Sequence, residues 1–488
     1  MNREKVTEQH TLITKKLEEL DLGRVYLQFM TEMPKKGCKW LQKFLERHKY
    51  KVEDEEKKEN LISTYIFGKL LTGEKFYFIN SRNISEKSIE VDFFTSKSNL
   101  VLFSKMSRKS TKNMDLDLLK ITFSNFKDIH EDDTLLSREE AVTRLDTIFS
   151  ELEEKKIFSG NVGITRNDEF IFKRSLGEAD MRYHVPNNVD TKFNLGSMNK
   201  IFTAVAILQL YEQKKLDLLD TVAKFLPEFP NGDKISIHHL LSHTSGLGSF
   251  WNQKFEQRFK SIRSIDNYMD LFIEESLLFQ PGERFEYSNA GYIVLGKIIE
   301  VITGKSYDEY VQQHIYDVAG MQNTYCYEID RIVPNLAMGY THDPDIDNFC
   351  LDHYINNFLI IPVKGSPAGG GYSTIDDLVS FAKALKKGDL ISEHSLEMMQ
   401  EPLIAEGTEL LRAEGYGYGC QTGIIGKNKF YGHGGGAPGV ATMLMIFPDI
   451  DVVVAILANW DPVYEIFAEQ QILDIVKRMS FSRNPVKP

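Results

Sequence analysis

The hydrophobic positions in the first 130 residues change their period partway along the segment. Apolar residues recur at helical spacing in LITKKLEELDLGRVYLQFM and again in CKWLQKFLERH. After the charged run KVEDEEKKEN, they alternate or run together over strand lengths in SIEVDFFTS, NLVLFSKM and LDLLKITFSNFKDI. The pattern predicts two helices followed by an antiparallel sheet, which together form a small α+β domain over residues 1–130 without a catalytic constellation.

A second domain is predicted over residues 131–488. Ser137 and Glu140 form a capping-box pattern ahead of the amphipathic stretch AVTRLDTIFSELEEKK. Strand-like runs stand at both ends of the domain, in FSGNVGITRNDEFIFKRSLGEAD and GVATMLMIFPDIDVVVAILAN, and an amphipathic helix, VYEIFAEQQILDIVKRM, follows the last of them. The patterns between about 197 and 400 are mostly helical. We therefore expect one antiparallel sheet built from both ends of the domain, with a helical subdomain inserted between them.

Length and charge narrow the class of protein. A chain of 488 residues favours two domains, and a net charge of −12 argues against nucleic acid as a partner, which needs a basic face. No apolar run approaches the roughly 18 residues of a membrane span, and the N-terminal segment has no apolar core of a secretory signal. These features predict a cytoplasmic protein, or an extracytoplasmic one if a signal peptide has been removed.

The cysteines and histidines do not predict a metal or a cofactor. Cys38, Cys326, Cys350 and Cys420 form no C-x-x-C pair, and free thiols are favoured over a Cys326–Cys350 disulfide. His239 and His243 in HHLLSH have a metal-like spacing. No third ligand stands at a recognisable offset from them, so the metal interpretation is disfavoured.

The stretch GHGGGAPG, residues 432–439, matches a dinucleotide-binding fingerprint at Gly434, Gly436 and Gly439. That fingerprint requires a helix after the glycines, because the pyrophosphate binds at the helix N-terminus. Here two strand-like runs follow instead. We expect an edge strand that closes one side of a cleft, with bare backbone for a substrate to lie against.

Ser197 and Lys200 stand three residues apart at the start of the apolar helix in FNLGSMNKIFTAVAILQLYEQKKL, so their side chains share one face. A lysine in a desolvated site can have a pKa low enough to take the proton of a serine nucleophile. The same spacing occurs in two other pairs, Ser124 with Lys127 in a strand-like run and Ser380 with Lys383 in an ordinary amphipathic helix. Spacing alone is therefore weak.

Tyr287 and Asn289 in FEYSNAGY supply a second group of candidates, although Tyr354 and Asn356 show the same Y-x-N spacing. A tyrosine near a lysine can be held as a phenolate, or poised between its two states, and can then shuttle a proton. The alternative for Tyr287 is a half-buried core tyrosine. Asn289 offers an amide that can hold both the lysine and a substrate carbonyl.

The order S-x-x-K, Y-x-N, then His-Gly-Gly resembles the serine β-lactamase and penicillin-binding-protein-like hydrolases, and is most similar to the branch of class C β-lactamases, D,D-peptidases and esterases. ISIHHLLSHTSGL, FQPGERFEYSNAGYIVLGKIIEVITGKSY and GSPAGGGYSTIDDLVSFAKAL also resemble that family, over about 137–480. The resemblance implies a β-lactamase-like α+β fold, an antiparallel sheet flanked by helices plus a helical subdomain. Residues 1–130 lie outside it and are weakly similar to NTF2-like or cystatin-like accessory modules.

The resemblance also implies a role for each site residue. Ser197 would attack the substrate carbonyl and form an acyl-enzyme, Lys200 would activate it, and Tyr287 would act as general base and acid. The backbone N–H groups of Ser197 and Gly436 would bind the oxyanion. The residues implied in substrate binding are Asn289, His433, Gly434 and Gly435.

The third motif departs from the family pattern. β-Lactamases of this branch usually carry Lys-Thr-Gly, whereas this chain has His433, Gly434 and Gly435, without a hydroxyl or a fixed cation. We therefore predict a serine hydrolase that acts on small esters, amides or D-amino-acid peptides through an acyl-enzyme, with little β-lactamase activity and no cofactor. The alternative is a catalytically weak binding or sensing protein on the same fold. The oligomeric state stays open.

Overall fold

The structure, a computed structural model, describes five N-terminal strands and a large C-terminal part of the chain. The C-terminal part comprises residues 135–154, 158–342, 354–403, 415–425, 427–460, 472–473 and 475–479. The chain divides into two compact units, Met1–Thr134 with Pro344–His353, and Leu135–Asp343 with Tyr354–Pro488.

The first unit contains a five-stranded antiparallel sheet. Its strands, adjacent in chain order, are β1 (Tyr26–Met30), β2 (Thr64–Lys69), β3 (Lys75–Ser85), β4 (Ser88–Thr95) and β5 (Val101–Ser107). β4 and β5 coincide with two predicted strands. The helix predicted through residue 30 is wrong at its end, because β1 pairs with β2 and strand pairing overrides local helical spacing. The helix predicted at 38–48 and the strand at 116–129 lie outside the described residues, and an accessory domain stays a prediction.

The second unit is built on a seven-stranded antiparallel sheet. Two of its strands come from the start of the unit, β6 (Gly160–Arg166) and β7 (Glu169–Leu176). Short two-stranded ladders pair β8 (Glu178–Asp180) with β9 (Val185–Pro186), β10 (Phe193–Asn194) with β13 (Tyr372–Ser373), and β11 (Tyr340–His342) with β12 (Tyr354–Asn356). The other five strands of the large sheet are β14 (Gly415–Tyr416), β15 (Gln421–Ile425), β16 (Asn428–Ala437), β17 (Val440–Phe447) and β18 (Val452–Ala458).

The strand order of the large sheet is β14-β15-β16-β17-β18-β6-β7. The last strand in the chain therefore pairs with the first of this unit, and Val454 lies opposite Ile164. This pairing confirms the prediction of one antiparallel sheet built from both ends of the domain.

Helices fill the chain between the two groups of strands. They are α1 (Arg138–Glu154), α2 (Asn199–Glu212), α3 (Val222–Phe225), α4 (Ile237–Leu241), α5 (Gln253–Arg258), α6 (Ile265–Met269), α7 (Asn289–Thr303), α8 (Tyr307–Val311), α9 (Asp317–Ala319), α10 (Ile375–Lys387) and α11 (Glu393–Gln400). Single 3-10 turns occupy Gly196–Met198, Phe259–Ser261, Asn357–Leu359 and Pro448–Ile450, and a π-helical turn occupies Gln312–Tyr316. Residues 472–473 and 475–478 are also helical. In the described residues, no helix combines the length and hydropathy that crossing a bilayer requires.

The sheet carries helices on both faces. Phe149 of α1 stacks on Phe172 of β7 at 5.5 Å between ring centroids, and Phe172 pairs with Ile164. The neighbouring Gly163 faces the other way, where a Cβ would overlap Ile375 of α10. The Ser137–Glu140 capping box at the start of α1 is confirmed, with backbone N–H to side-chain distances of 2.8 and 3.2 Å.

α2 lies at the centre of the unit, and every residue from Asn199 to Leu210 is buried. Phe202 packs edge-to-face on Phe381 of α10 at 4.8 Å and on Tyr316 at 5.3 Å between ring centroids. A helix enclosed on all sides has little freedom to shift. Its first turn, which carries Lys200, is therefore held rigidly.

β16 corrects the prediction of an edge strand, because it is the third strand of seven. The five residues of β15 pair only with 428–432, while residues 431–437 pair with β17 on the other side. The segment 433–437 thus has one free side within an interior strand. β16 turns directly into β17, which confirms that no helix follows the glycines.

Candidate active site

Ser197 occupies the middle of the 3-10 turn that leads into α2. The preceding Gly196 has a φ of +51°, and its N–H donates to Asn194 Oδ1 at 2.9 Å. A Cβ at Gly196 would meet the backbone of Gly435 and Gly436 at 2.9 Å. Glycine is required at this position both for its backbone conformation and for the close crossing with β16. The crossing brings the half-buried Ser197 beside the free side of β16.

Lys200 is fully buried one turn into α2. Its Nζ lies 3.2 Å from Ser197 Oγ, 2.8 Å from Asn289 Oδ1 and 2.5 Å from the carbonyl oxygen of Ala368. Among the described residues no carboxylate pairs with it, and burial holds its pKa well below the ordinary lysine value.

Three oxygen atoms surround the Nζ of Lys200, and burial without a carboxylate favours the neutral amine over the ammonium. A neutral amine has two N–H donors and one lone pair. The two amide-type oxygens, from Asn289 and Ala368, can only accept hydrogen bonds. Ser197 Oγ accepts a hydrogen bond from Nζ in the structure, and it lies where the lone pair of a neutral amine can take its proton. The geometry can therefore deprotonate Ser197 without any prior ionisation of a neighbouring group.

Tyr287 and Asn289 flank Ser288, which caps α7 by accepting the N–H of Gly291 at 3.0 Å. The cap fixes both neighbours against α2. Burial raises the pKa of Tyr287, and a hydrogen bond with Ser197 offsets part of the rise. Lys200 Nζ lies over the ring face, 4.7 Å from its centroid. Burial therefore favours the neutral phenol of Tyr287 over the phenolate, which was one of the two states that the sequence left open.

His433 lies in the layer behind the cleft and is 4% exposed. Its Nδ1–H donates to the carbonyl oxygen of Gly434 at 2.5 Å, and its Nε2 accepts the hydroxyl proton of Tyr416 at 3.0 Å. Burial lowers the pKa of His433 to about 3. The ring is neutral and both of its nitrogens are bonded within the protein, so any influence of His433 on substrate choice is indirect.

The three glycines after His433 have different surroundings. The N–H of Gly434 donates to Gln421 Oε1 at 3.3 Å, on the side of the strand away from β17. Because backbone direction alternates along a strand, the N–H of Gly436 faces the same side. A Cβ at Gly435 would overlap Leu195 and Thr442, whereas a Cβ at Gly436 would meet nothing within 4 Å. Gly435 therefore serves packing, and Gly436 offers an N–H to the cleft.

Sequence reasoning missed two contributors. The carbonyl oxygen of Ala368 binds Lys200, but a backbone group carries no signal in the sequence. His243 is fully buried, and its Nδ1 accepts the N–H of Ser288 at 3.0 Å. Its ring packs at a tilt of 39° against Tyr287, with 4.3 Å between centroids, so it supports the turn that presents Tyr287 and Asn289. The HHLLSH motif indicated this histidine only as a metal candidate.

A cavity of about 280 Å³ adjoins Ser197 and Asn289. Gly196, Gly369 and Gly436 contribute backbone to its inner end. Tyr287 and His433 do not line it. The cavity is thus the part of the site where a substrate group can lie beside the nucleophile.

The HHLLSH histidines and the Ser380–Lys383 pair, which the sequence also offered as candidates, have ordinary structural roles. His239 caps α4 through the N–H of Ser236, away from His243. Lys383 of the Ser380 pair lies 3.6 Å from Asp168. Among the described residues, no group of three or more His, Cys, Asp or Glu side chains could hold a metal ion. Cys326 and Cys420 are buried free thiols, while Cys38 and Cys350 lie outside the described residues.

Known proteins resemble the chain in sequence and in fold. The family described as Beta-lactamase matches residues 145–477. Penicillin-binding protein 4* of Bacillus subtilis (strain 168) is 31% identical over 348 residues, which are 70% of this chain and 76% of that protein. A teichoic acid D-alanine hydrolase of Staphylococcus aureus is 25% identical over 317 residues, 65% of this chain and 73% of that protein. The crystal structure of a penicillin binding protein from Bacillus halodurans has a TM-score of 0.60 at 30% identity, and the match covers 67% of this chain and 99% of that one.

Gly435→Ala and Gly436→Ala form a matched pair that tests the packing of β16. Gly435→Ala is expected to lower the free energy of unfolding by on the order of 1–3 kcal/mol, because the new methyl group overlaps Leu195 and Thr442. Gly436→Ala should leave folding stability unchanged, since the methyl group enters open space. Urea unfolding curves measure both values, and equal stability of the two variants would contradict this packing.

His243→Ala is expected to lower the free energy of unfolding by roughly 2–4 kcal/mol, because it leaves the buried N–H of Ser288 unpaired and opens a cavity beside Tyr287. At temperatures where the variant stays folded, kcat should fall more than KM rises, since Tyr287 is displaced. His239→Ala is the control. A His243 variant with wild-type kcat would show that the ring does not position Tyr287.

Proposed function

The chain belongs to the β-lactamase family, and from that membership we propose that it is a serine hydrolase that cleaves esters or amides through an acyl-enzyme on Ser197. One observation carries the proposal: the buried amine of Lys200 lies 3.2 Å from Ser197 Oγ with its other hydrogen-bond partners already satisfied. A protein that only binds a ligand has no need of an uncompensated buried lysine directed at a serine.

Acylation begins with proton transfer from Ser197 to Lys200. Ser197 Oγ forms a bond to the substrate carbonyl carbon while its proton passes to Nζ, which becomes an ammonium group. The carbonyl oxygen acquires negative charge and takes hydrogen bonds from the N–H groups of Ser197 and Gly436. The Asn289 amide, whose oxygen already binds Lys200, turns its NH₂ group toward the substrate.

Collapse of the tetrahedral intermediate requires a proton on the leaving group. The hydroxyl of Tyr287, whose raised pKa keeps it protonated, donates that proton as the bond to the leaving group breaks. The ammonium of Lys200, with Nζ 4.7 Å from the centre of the Tyr287 ring, then returns a proton to the phenolate. In deacylation the same two groups take the proton of the attacking water, and Ser197 is released with its hydroxyl restored.

His433, Gly434 and Gly435 support this chemistry without lining the cavity. His433 accepts the hydroxyl proton of Tyr416, and Tyr416 packs against His243 at 4.7 Å between ring centroids. Gly435 lets β16 lie close to the turn of Ser197, and the N–H of Gly434 donates to Gln421. We propose that these residues affect substrate binding through the position of the strand.

We further propose that the substrates are small molecules or short peptides and that the enzyme works in the cytoplasm. The buried Cys326 and Cys420 are free thiols, as is usual in a reducing compartment. The Staphylococcus aureus relative is called a teichoic acid D-alanine hydrolase, which favours ester cleavage as the first activity to assay.

Ser197→Ala is expected to abolish covalent labelling by a fluorophosphonate probe, because the nucleophilic oxygen is lost. Ser380→Ala is the matched control, since Ser380 also precedes a lysine at the same spacing but lies on α10, outside the site. Labelled protein is measured by mass spectrometry. A wild type that stays unlabelled and cleaves neither p-nitrophenyl esters, D-alanine p-nitroanilide nor nitrocefin would leave the binding or sensing alternative.

A further inference from the structure

The cavity beside Ser197 has a distinctive wall. Opposite the glycine backbone its lining is apolar and aromatic, from Phe250, Trp251, Ile329, Ile361 and Pro362. Its volume of about 280 Å³ lies near the lower end of the range for small-molecule sites, roughly 300–1,000 Å³. A group of modest size can be enclosed there, and its contact surface is mostly hydrocarbon.

Trp251 is the exposed part of this wall. It is 44% exposed, although its ring stacks on Phe250 at 5.5 Å and packs at a tilt against Phe255 at 4.4 Å between centroids. Neighbouring aromatic rings thus hold the indole in place while one side stays open to the cleft. A large apolar side chain kept partly in water beside a nucleophile is typical of a ligand contact.

The cavity lacks a free charge among the described residues that line it. Lys364 is the single lysine in that lining, which contains no arginine, histidine, aspartate or glutamate. The Nζ of Lys364 lies 2.5 Å from Asp308 Oδ2, and the two side chains are only 21% and 14% exposed. The charge of Lys364 is therefore compensated within the protein.

Among the described residues of this lining, an ionic substrate group would find no free group of opposite charge. An ammonium group needs a carboxylate or several well-placed acceptors, and a carboxylate needs a cation. Without such partners, transfer of a charge from water is unfavourable. An uncharged hydrocarbon or aromatic group does not give up the hydration energy of a charge on entry. It also buries apolar surface against Trp251, Ile361 and Pro362.

We propose that this cavity selects an uncharged, apolar group next to the scissile bond, so that the enzyme is a hydrolase of neutral esters or N-acylated amides. Free D-alanyl compounds, which carry an ammonium group, and β-lactams, which carry a carboxylate, are disfavoured. Trp251 is the residue that determines specificity for the size of the group. This inference rests on the proposed function and narrows its substrate class.

Matched pairs of charged and neutral substrates test the proposed preference for an uncharged group. D-Alanine p-nitroanilide is compared with N-acetyl-D-alanine p-nitroanilide through release of p-nitroaniline. N-acetyl-D-alanyl-D-alanine is compared with its C-terminal amide through cleavage of the bond between the two alanines, so that each pair shares its scissile bond and differs in one charge. The expected kcat/KM is at least tenfold higher for each neutral member. Equal or higher kcat/KM for the charged members would overturn the proposal while the proposed hydrolase function stands.

Trp251→Ala tests the wall with p-nitrophenyl acetate and p-nitrophenyl phenylacetate. The variant should lower the phenylacetate-to-acetate ratio of kcat/KM about tenfold, and Leu219→Ala, at a residue that is 76% exposed and outside the cavity lining, should leave that ratio unchanged. An unaltered ratio in Trp251→Ala would overturn the role of the wall. A wild type that cleaves no member of either series and is not labelled at Ser197 overturns the proposed function, and this inference with it.

Discussion

The burial of Lys200 without a counter-charge is the constraint on which the site depends. An ammonium group at this position would be desolvated beside two amide-type oxygens and one hydroxyl, with no carboxylate among the described residues to balance it. α2 is enclosed on every side, so the lysine cannot swing out to water. Because desolvation disfavours the charged form, the pKa of the amine is lowered. A neutral amine is the form that the activation of Ser197 requires.

The surrounding residues are arranged to keep that amine neutral and to hold its Nζ next to Ser197 Oγ. Asn289 and Ala368 take its two N–H groups, while His243 holds the turn that presents Asn289. His433 opens the His-Gly-Gly triplet, and it is itself neutral and bonded to Tyr416. The triplet therefore adds no cation to the site. Among the described residues that line the adjoining cavity, the one lysine, Lys364, is paired with Asp308. The base, Lys200, and the described lining of the substrate cavity thus share one property, the lack of an unpaired charge.

Much of this site could be predicted from sequence, because reactive residues that stand two or three positions apart can be recognised from residue type and spacing alone. Ser197 with Lys200 and Tyr287 with Asn289 are such pairs, and the strand periodicity at both ends of the second domain predicts its sheet. The carbonyl of Ala368 could not be predicted, since any residue has one. His243 acts through a contact with Ser288, 45 positions away. The interior place of β16 depends on its pairing with β15, and the free side of residues 433–437 depends on the short length of β15. The preference of Tyr287 for its neutral state depends on burial.

The pH dependence of Ser197 labelling by an uncharged fluorophosphonate tests the neutral state of Lys200 most directly. The amine accepts the serine proton only when it is itself unprotonated. With a lowered pKa, the second-order rate constant should be constant through neutral pH and fall only as acid protonates the amine. Lys200→Met should react slowly and lose that acid limb. A wild-type rate that instead rises steadily toward the ordinary lysine pKa of about 10.4 would show a charged lysine at neutral pH and contradict this account.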